Sequence, residues 1–272
     1  MTPAAIARGA SEAVSERILK LTVEYDGTNY VGWQRQAEGV SIQALIEDAL
    51  APFEGRAVTV HAAGRTDAGV HALAQVASVV TSVAHDVATL QRALNAVLPA
   101  DVRITSVEDA PSGFHARFDA VSKTYEYRIV NAPYASAFQQ RYVWHVPGAL
   151  NLDDMRAGAA VLVGRHDFSA FQATGAGVST TVRTILALDL FDRDGSASEP
   201  AVLVLRITGD GFLRHMVRTI AGTLVDVGLG RWPAAYVSTI LAGRDRTRAG
   251  RAAPAAGLFL VEVSYAARDF AL

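Results

Sequence analysis

Apolar and polar residues alternate over 18–25, the period-two signature of a half-buried strand. The turn sequence Asp26-Gly27-Thr28-Asn29 follows. Ser41 suits a helix N-cap, and Ile42, Leu45, Ile46, Ala49 and Leu50 then recur on one face of a helix over 42–53. Strands are predicted over 57–63 and 75–81, a helix from Asp86 to Val97 with Leu90, Leu94 and Val97 inward, and a strand over 102–108. That order is β-α-β-β-α-β, the ferredoxin-like plan. The pattern repeats with a strand over 124–130, a helix over 153–163, and strands over 184–191 and 201–209 joined by a hairpin at 192–200. A helix over 212–227, a shorter one near 233–241 and a closing strand over 258–265 complete it.

The predicted fold is therefore α+β: two ferredoxin-like, RRM-like halves with antiparallel sheets, helices packed on one face, and an active-site cleft between them. Residues 1–16 read as a disordered leader, 17–110 as the N-terminal half and 111–272 as the C-terminal half, with the join near 109–122.

Composition narrows the chemistry. Half of the 272 residues are hydrophobic, enough for a sizeable core. The chain has no cysteine, which excludes disulfides, thiol catalysis and cysteine-ligated zinc and fits a reducing compartment. No apolar run is long enough to span a bilayer and the N-terminus lacks a signal-peptide core, so a soluble, cytoplasmic protein is expected.

Net charge is −2, but it is unevenly spread. Residues 201–251 hold eight arginines against three aspartates, a local +5, whereas residues 1–60 carry five basic and eight acidic side chains, a local −3. Such polarity can turn a basic face toward phosphates. Only Lys20 and Lys123 are lysines. The arginine preference fits a GC-rich genome; the clustering is the signal. The stretch 244–254 reads as a flexible basic loop, either solvated or in contact with phosphate.

Four blocks carry candidate chemistry. The sharpest is Gly64-Arg65-Thr66-Asp67-Ala68-Gly69-Val70-His71-Ala72. A guanidinium near a carboxylate favours the ionised form, and flanking glycines allow a sharp turn and close approach of a ligand. An exposed carboxylate there can act as nucleophile or base, or can belong to a plain surface ion pair. The block 25–36 ends in Trp33, Gln34, Arg35 and Gln36, types that can face RNA, although a buried Trp33 is the simpler reading. In the block 115–127, Tyr125 and Tyr127 share one strand face. In the block 211–218, Arg214 and Arg218 fall at i and i+4 of the expected helix.

Together with 253–258 and 261–265, these blocks resemble the tRNA pseudouridine synthase A family from the first strand to the last. The resemblance implies an enzyme that detaches uracil from C1′ of its ribose, turns it and rejoins it through C5. Asp67 matches the catalytic aspartate, Tyr125 the tyrosine that stacks on the target uracil, Arg65 the arginine that holds the flipped nucleotide, and Arg218 the arginine paired with the aspartate. It further implies tRNA as substrate, modified at positions 38, 39 and 40 of the anticodon stem-loop, a homodimer, and no metal or organic cofactor. Whether Asp67 attacks C1′, attacks C6 or serves as a base stays open. The departures, Ser41-Ile42-Gln43-Ala44, the first sixteen residues and 192–200, touch none of the four blocks.

Three rivals remain at this stage: a non-catalytic RNA-binding protein of two RRM-like halves, a pseudouridine synthase acting on another RNA, and a small-molecule hydrolase. The RRM signature and the GxSxG and phosphate-loop patterns are absent.

Overall fold

A computed structural model describes residues 16–266, apart from 174, 176–177, 194 and 196–199. The expected leader over 1–16 therefore lies almost wholly outside the described residues, as does the tip of the expected 192–200 hairpin. The first half of the chain runs β1 (Arg17–Tyr25), α1 (Ile42–Glu54), β2 (His61–Ala62), β3 (His71–Thr81), α2 (Val87–Val97) and β4 (Val102–Ala110). The second runs β5 (Ala120–Val130), β6 (Trp144–His145), α3 (Leu152–Ala160), β7 (Gly164–Asp167), β8 (Val182–Arg193), β9 (Val202–Gly209), α4 (Met216–Gly228), α5 (Tyr236–Gly243) and β10 (Leu258–Tyr265).

The strands line up as β4-β1-β3 and then β10-β5-β9-β8-β7, with β2 on β3 and β6 on β5. Within the first half every neighbouring pair is antiparallel, in the order β4-β1-β3-β2. The second half repeats that order as β10-β5-β9-β8, again antiparallel throughout. The sheets are nevertheless not separate. The last strand, β10, lies parallel to β3 through the pairs Phe259–His71 and Leu260–Ala72, so all ten strands form one mixed sheet.

The period-two pattern does what it predicts in β1, where Leu19, Leu21, Val23 and Tyr25 are buried on one face. A continuous apolar core runs along the sheet through both halves, from Leu19 to Leu260. The Ser41 cap is present, with Oγ accepting from the Ala44 N–H at 3.2 Å, and Asp86 accepts from the Thr89 N–H at 2.9 Å.

Five elements differ from expectation. Residues 57–60 are not strand, because side chains of α1 take up the backbone of Val60: its N–H donates to Glu47 (3.0 Å) and its carbonyl accepts from Gln43 (3.3 Å). Only β2 remains of that strand. Helix α4 starts at Met216 rather than 212, since His215 adopts a left-handed backbone with φ of 61°. Helix α3 stops at Ala160, ahead of a turn into Gly164 at φ 108°. The short strands β6 and β7 carry too few residues to show a period.

Because β10 joins the two halves, with β3 on one side and β5 on the other, its packing should govern global stability. Leu260→Ala removes a fully buried side chain there. We expect a loss of about 2–5 kcal/mol in urea unfolding, with one cooperative transition retained.

Candidate active site

The Gly64–Ala72 block leaves β2, turns, and enters β3, and its position is fixed by the 30–33 segment. The Trp33 N–H donates to the Thr66 carbonyl at 3.0 Å, the Gly69 N–H to the Tyr30 carbonyl at 3.3 Å, and Gly32 and Asp67 form an isolated antiparallel bridge. Gly32 has φ of 101°, and a Cβ there would stand 2.5 Å from the Thr66 oxygen and 2.9 Å from the Asp67 carbonyl carbon. Glycine is required twice over, for the left-handed backbone and for the close approach. The Thr66 hydroxyl is buried against the Tyr25 hydroxyl at 2.8 Å, so the side chain beside Asp67 points into the core. At the end of the block, His71 is a post: its Nδ1 accepts from the Gly27 N–H at 3.1 Å and its ring stacks on Phe259 at 4.6 Å.

Asp67 is thereby left partly exposed on the wall of a cleft of about 1520 Å³. Its Oδ2 lies 3.5 Å from His215 Nε2 and 3.8 Å from Arg218 Nη1. Arg218 is anchored from behind, with Nε donating to the Ala253 carbonyl at 2.7 Å while the Ala253 N–H donates to the Arg218 carbonyl at 3.0 Å. A guanidinium held on its far side leaves its near edge to the carboxylate at little further entropic cost.

Tyr125, 7% exposed, lines the same cleft from β5 and meets Phe212 edge-on at 5.2 Å. Burial raises the pKa of its phenol, and the charges of Tyr25 and Asp67 add to that, so it stays neutral. Lys123, two residues earlier on the same strand face, also lines the cleft. Burial and then Arg117 lower its pKa, against the pull of Asp210.

The structure thus brings Asp67, Tyr125, Arg65 and Arg218 to one cleft formed by both halves of the chain. The local logic differs from the sequence expectation in three ways. Arg65 is not the charge partner of Asp67: it is exposed and, among the described residues, makes no ion pair, while Arg218 and His215 flank the carboxylate. Arg214 is not on a shared helix face with Arg218, because it precedes α4, but it still lines the cleft. Trp33, Gln34 and Arg35 are scaffold, with Trp33 buried, Gln34 donating to Gln43 at 2.9 Å, and Arg35 bound to Glu47 (2.9 Å) and Asp48 (2.7 Å).

Nor is the basic 244–254 stretch a free loop. Arg244 pairs with Asp167 at 3.3 Å, and Arg246 donates to the Gly250 carbonyl at 3.0 Å. Arg248 lies over the Tyr236 ring at 5.7 Å, and Arg251 over Trp144 at 5.1 Å. Arg206 is spent on buried Glu126 at 2.7 Å. The cleft is basic for another reason: among the described residues, Arg65, Arg117, Lys123, Arg183, Arg214 and Arg218 line it against only Asp67 and Asp210. Its volume exceeds the roughly 300–1,000 Å³ of small-molecule sites. Large, concave and cationic, it suits a polyanion.

A family model described as tRNA pseudouridine synthase matches residues 21–119 and 159–266. The chain belongs to that family. Among its relatives, the tRNA pseudouridine synthase A of Syntrophotalea carbinolica is 45% identical over 252 residues, spanning 93% of this chain and 98% of that protein. That of Pelobacter propionicus is 45% identical over 249 residues, 92% of this chain and all (100%) of that protein. That of Ruminiclostridium cellulolyticum is 43% identical over an equal span of 249 residues. Both segments of the family match contribute to the cleft, the first through Asp67 and the second through His215 and Arg218.

Residue-by-residue reading missed His215 as a neighbour of Asp67. His215 lies inside the helix expected over 212–227, and its sequence signal was only that histidine is among the few side chains that tolerate a left-handed backbone.

Two outcomes follow from this geometry. Gly32→Ala should destabilise the fold by about 1–3 kcal/mol in urea unfolding, since neither the backbone angle nor the space admits a methyl. The second concerns His215, whose pKa is lowered by burial and by Arg218, Arg214 and Arg246, with Asp67 opposing. The unfolded chain takes up that proton near the ordinary value of 6.5, before the folded one does. Stability is therefore lost as pH falls through that value toward the folded one. His215→Asn, which suits the same backbone, should shrink the loss of stability between pH 7 and pH 5 measured by unfolding at each pH.

Proposed function

We propose that this cleft isomerises uridine to pseudouridine in tRNA, with Asp67 as the catalytic carboxylate. The observation that carries the proposal is the placement of Asp67. It is held by a rigid turn in a large cationic cleft, with His215 and Arg218 within 4 Å of one carboxylate oxygen. The three relatives named above all bear the name tRNA pseudouridine synthase A.

In the reaction the C1′–N1 bond breaks and a C1′–C5 bond forms. The C5 proton is lost and N1 gains one, so atoms and electrons balance without an oxidant, reductant or organic cofactor. Breaking the glycosidic bond builds positive charge at C1′, which a nearby carboxylate captures or stabilises. Attack at C1′, attack at C6 and action as a base all use the same oxygen atoms of Asp67. Arg218 holds that carboxylate in register from its anchor on Ala253.

The target uridine has to leave its stack, at a cost of a few kcal/mol. In this reading Tyr125 offsets part of that by stacking on the extruded uracil, its ring already seated against Phe212. Arg65, exposed at the rim without an ion pair among the described residues, fills the place the base leaves or grips its phosphate. The substrate positions are 38, 39 and 40 of the anticodon stem-loop, and the working form is a homodimer in the cytoplasm; family membership supports both. Residues 17–110 and 111–272 are two ferredoxin-like units descended from one, a reading supported by the repeated strand order.

Tritium release from tRNA labelled at C5 of uridine tests the assignment, since C5 loses its hydrogen when it becomes the glycosidic carbon. Wild-type protein should release tritium. Asp67→Asn, which keeps volume and loses charge, should lower the rate by at least about a thousandfold with tRNA affinity within a few-fold of wild type. Sustained release by Asp67→Asn would sink the assignment of Asp67. No release by wild type with U38–U40 tRNA would sink the activity.

A further inference from the structure

Phe118 is the most exposed aromatic ring on the cleft, at 75%. It is not loose. The loop carrying it is pinned by the Ala116 N–H donating to Ser78 Oγ at 3.0 Å and by the Ala116 carbonyl accepting from the Tyr265 hydroxyl at 2.8 Å. Next to it the His115 N–H donates to the Asp119 carboxylate at 2.8 Å, and the Asp119 N–H to the His115 carbonyl at 3.1 Å. Behind Phe118 stand two more rings. His115 lies 4.3 Å from it at 36°, and His61, from the distant strand β2, lies 5.0 Å from His115 at 31°. Three mutually tilted rings thus run along the wall of the cleft, and Phe118 is presented to solvent by a fixed backbone.

Burying a phenyl normally stabilises a protein by about 1.5–3 kcal/mol, and this chain forgoes that. The ring's surroundings say what it waits for. The Arg117 guanidinium lies 5.7 Å from its centroid, and among the described residues Arg117 makes no ion pair. Lys123 and Arg65 line the same cleft. A flat π-system carrying a phosphate satisfies both the exposed ring and the unpaired cations.

We propose that Phe118, backed by His115 and His61, is a stacking platform for a second nucleobase of the bound RNA, distinct from the uridine that reacts at Asp67, with Arg117 taking that nucleotide's phosphate. The proposal rests on the reading of the cleft as an RNA site. Its consequence is that the RNA is opened at two points, one base over Tyr125 and one over Phe118, which pre-organises the strand between them.

The test is tRNA affinity against salt for the full-length protein and its Phe118→Ala, Phe118→Trp and Arg117→Ala variants, with sedimentation of each. Phe118→Ala should weaken binding by about 5- to 100-fold with the salt slope unchanged, because stacking releases no counterions. Phe118→Trp should bind at least as tightly as wild type. Arg117→Ala should weaken binding and reduce the slope by about one. Wild-type affinity in Phe118→Ala, or equal weakening in Phe118→Trp, would overturn the platform. A change of oligomeric state in Phe118→Ala with tRNA affinity intact would also overturn it and make the ring a contact between copies. Tritium release separates this proposal from the broader one: release by wild type that Asp67→Asn abolishes upholds the broader reading, whatever Phe118→Ala does to tRNA affinity.

Discussion

The contact on which the site depends is backbone against backbone, where Gly32 and Trp33 meet Thr66 and Asp67. It joins the loop after β1 to the turn before β3, and no side chain at position 32 would leave room for it. Around it the neighbouring groups are spent on structure: the Thr66 hydroxyl on Tyr25, the Trp33 ring on the core, His71 on Gly27 and Phe259. Of the charged side chains in this turn, Asp67 and Arg65 are left on the cleft. A carboxylate placed this way loses little freedom on meeting a substrate, and positioning of that kind is a large share of what an active site supplies.

Electrostatics are divided in the same manner. A chain of net charge −2 presents a cationic cleft in part because many of its other arginines are paired or stacked elsewhere. Glu126, buried on β5, takes up Arg128, Arg193 and Arg206 at once. Burial alone would raise its pKa, but the three guanidiniums overcome that and the net shift is downward. Arg244 to Arg251 are likewise tied to Asp167, a backbone carbonyl and two aromatic rings. Arg65, Arg117, Lys123, Arg183 and Arg214 at the cleft make no ion pair among the described residues, so the local sign follows from which pairs form and not from the overall count.

Much of this was legible in the sequence, and the failures have physical causes. Strands with a clean period of two, such as β1, and helices with capping residues, such as α1 and α2, stand where the pattern put them. The 57–60 strand failed because Gln43 and Glu47, buried polar residues of α1, took its hydrogen bonds. The early start predicted for α4 failed because periodicity does not register a single left-handed residue at His215. At the site, the residue types were legible, and the family resemblance put Arg218 beside Asp67, whereas the spacing within the block pointed to Arg65. Arg65 stands two residues from Asp67 in the chain, yet Arg218, 151 residues away, is the guanidinium beside it. Proximity in the chain does not decide the contact, because the fold brings the start of α4 onto the turn that carries Asp67. The single sheet was hidden for a related reason: the β3–β10 pairing is two residues long and joins the ends of two patterns that each look complete.

That short pairing explains how two halves can share one reaction. The N-terminal half supplies Asp67, and the C-terminal half supplies Tyr125, His215 and Arg218. Their spacing is set where β10 crosses from one half to the other. Phe259 stacks on His71 at the end of the catalytic turn, while Leu258 and Leu260 pair with Tyr127 and Tyr125 on β5. Just upstream, Ala253 grips Arg218 and the Pro254 carbonyl accepts from the Tyr127 hydroxyl at 2.7 Å. One stretch, 253–260, therefore touches the supports of the carboxylate, its cation and the tyrosine together. Because these groups are far apart in sequence, forming the site requires closing long loops, and the reward arrives only when the last strand docks. The site and the completed fold are in that sense the same event.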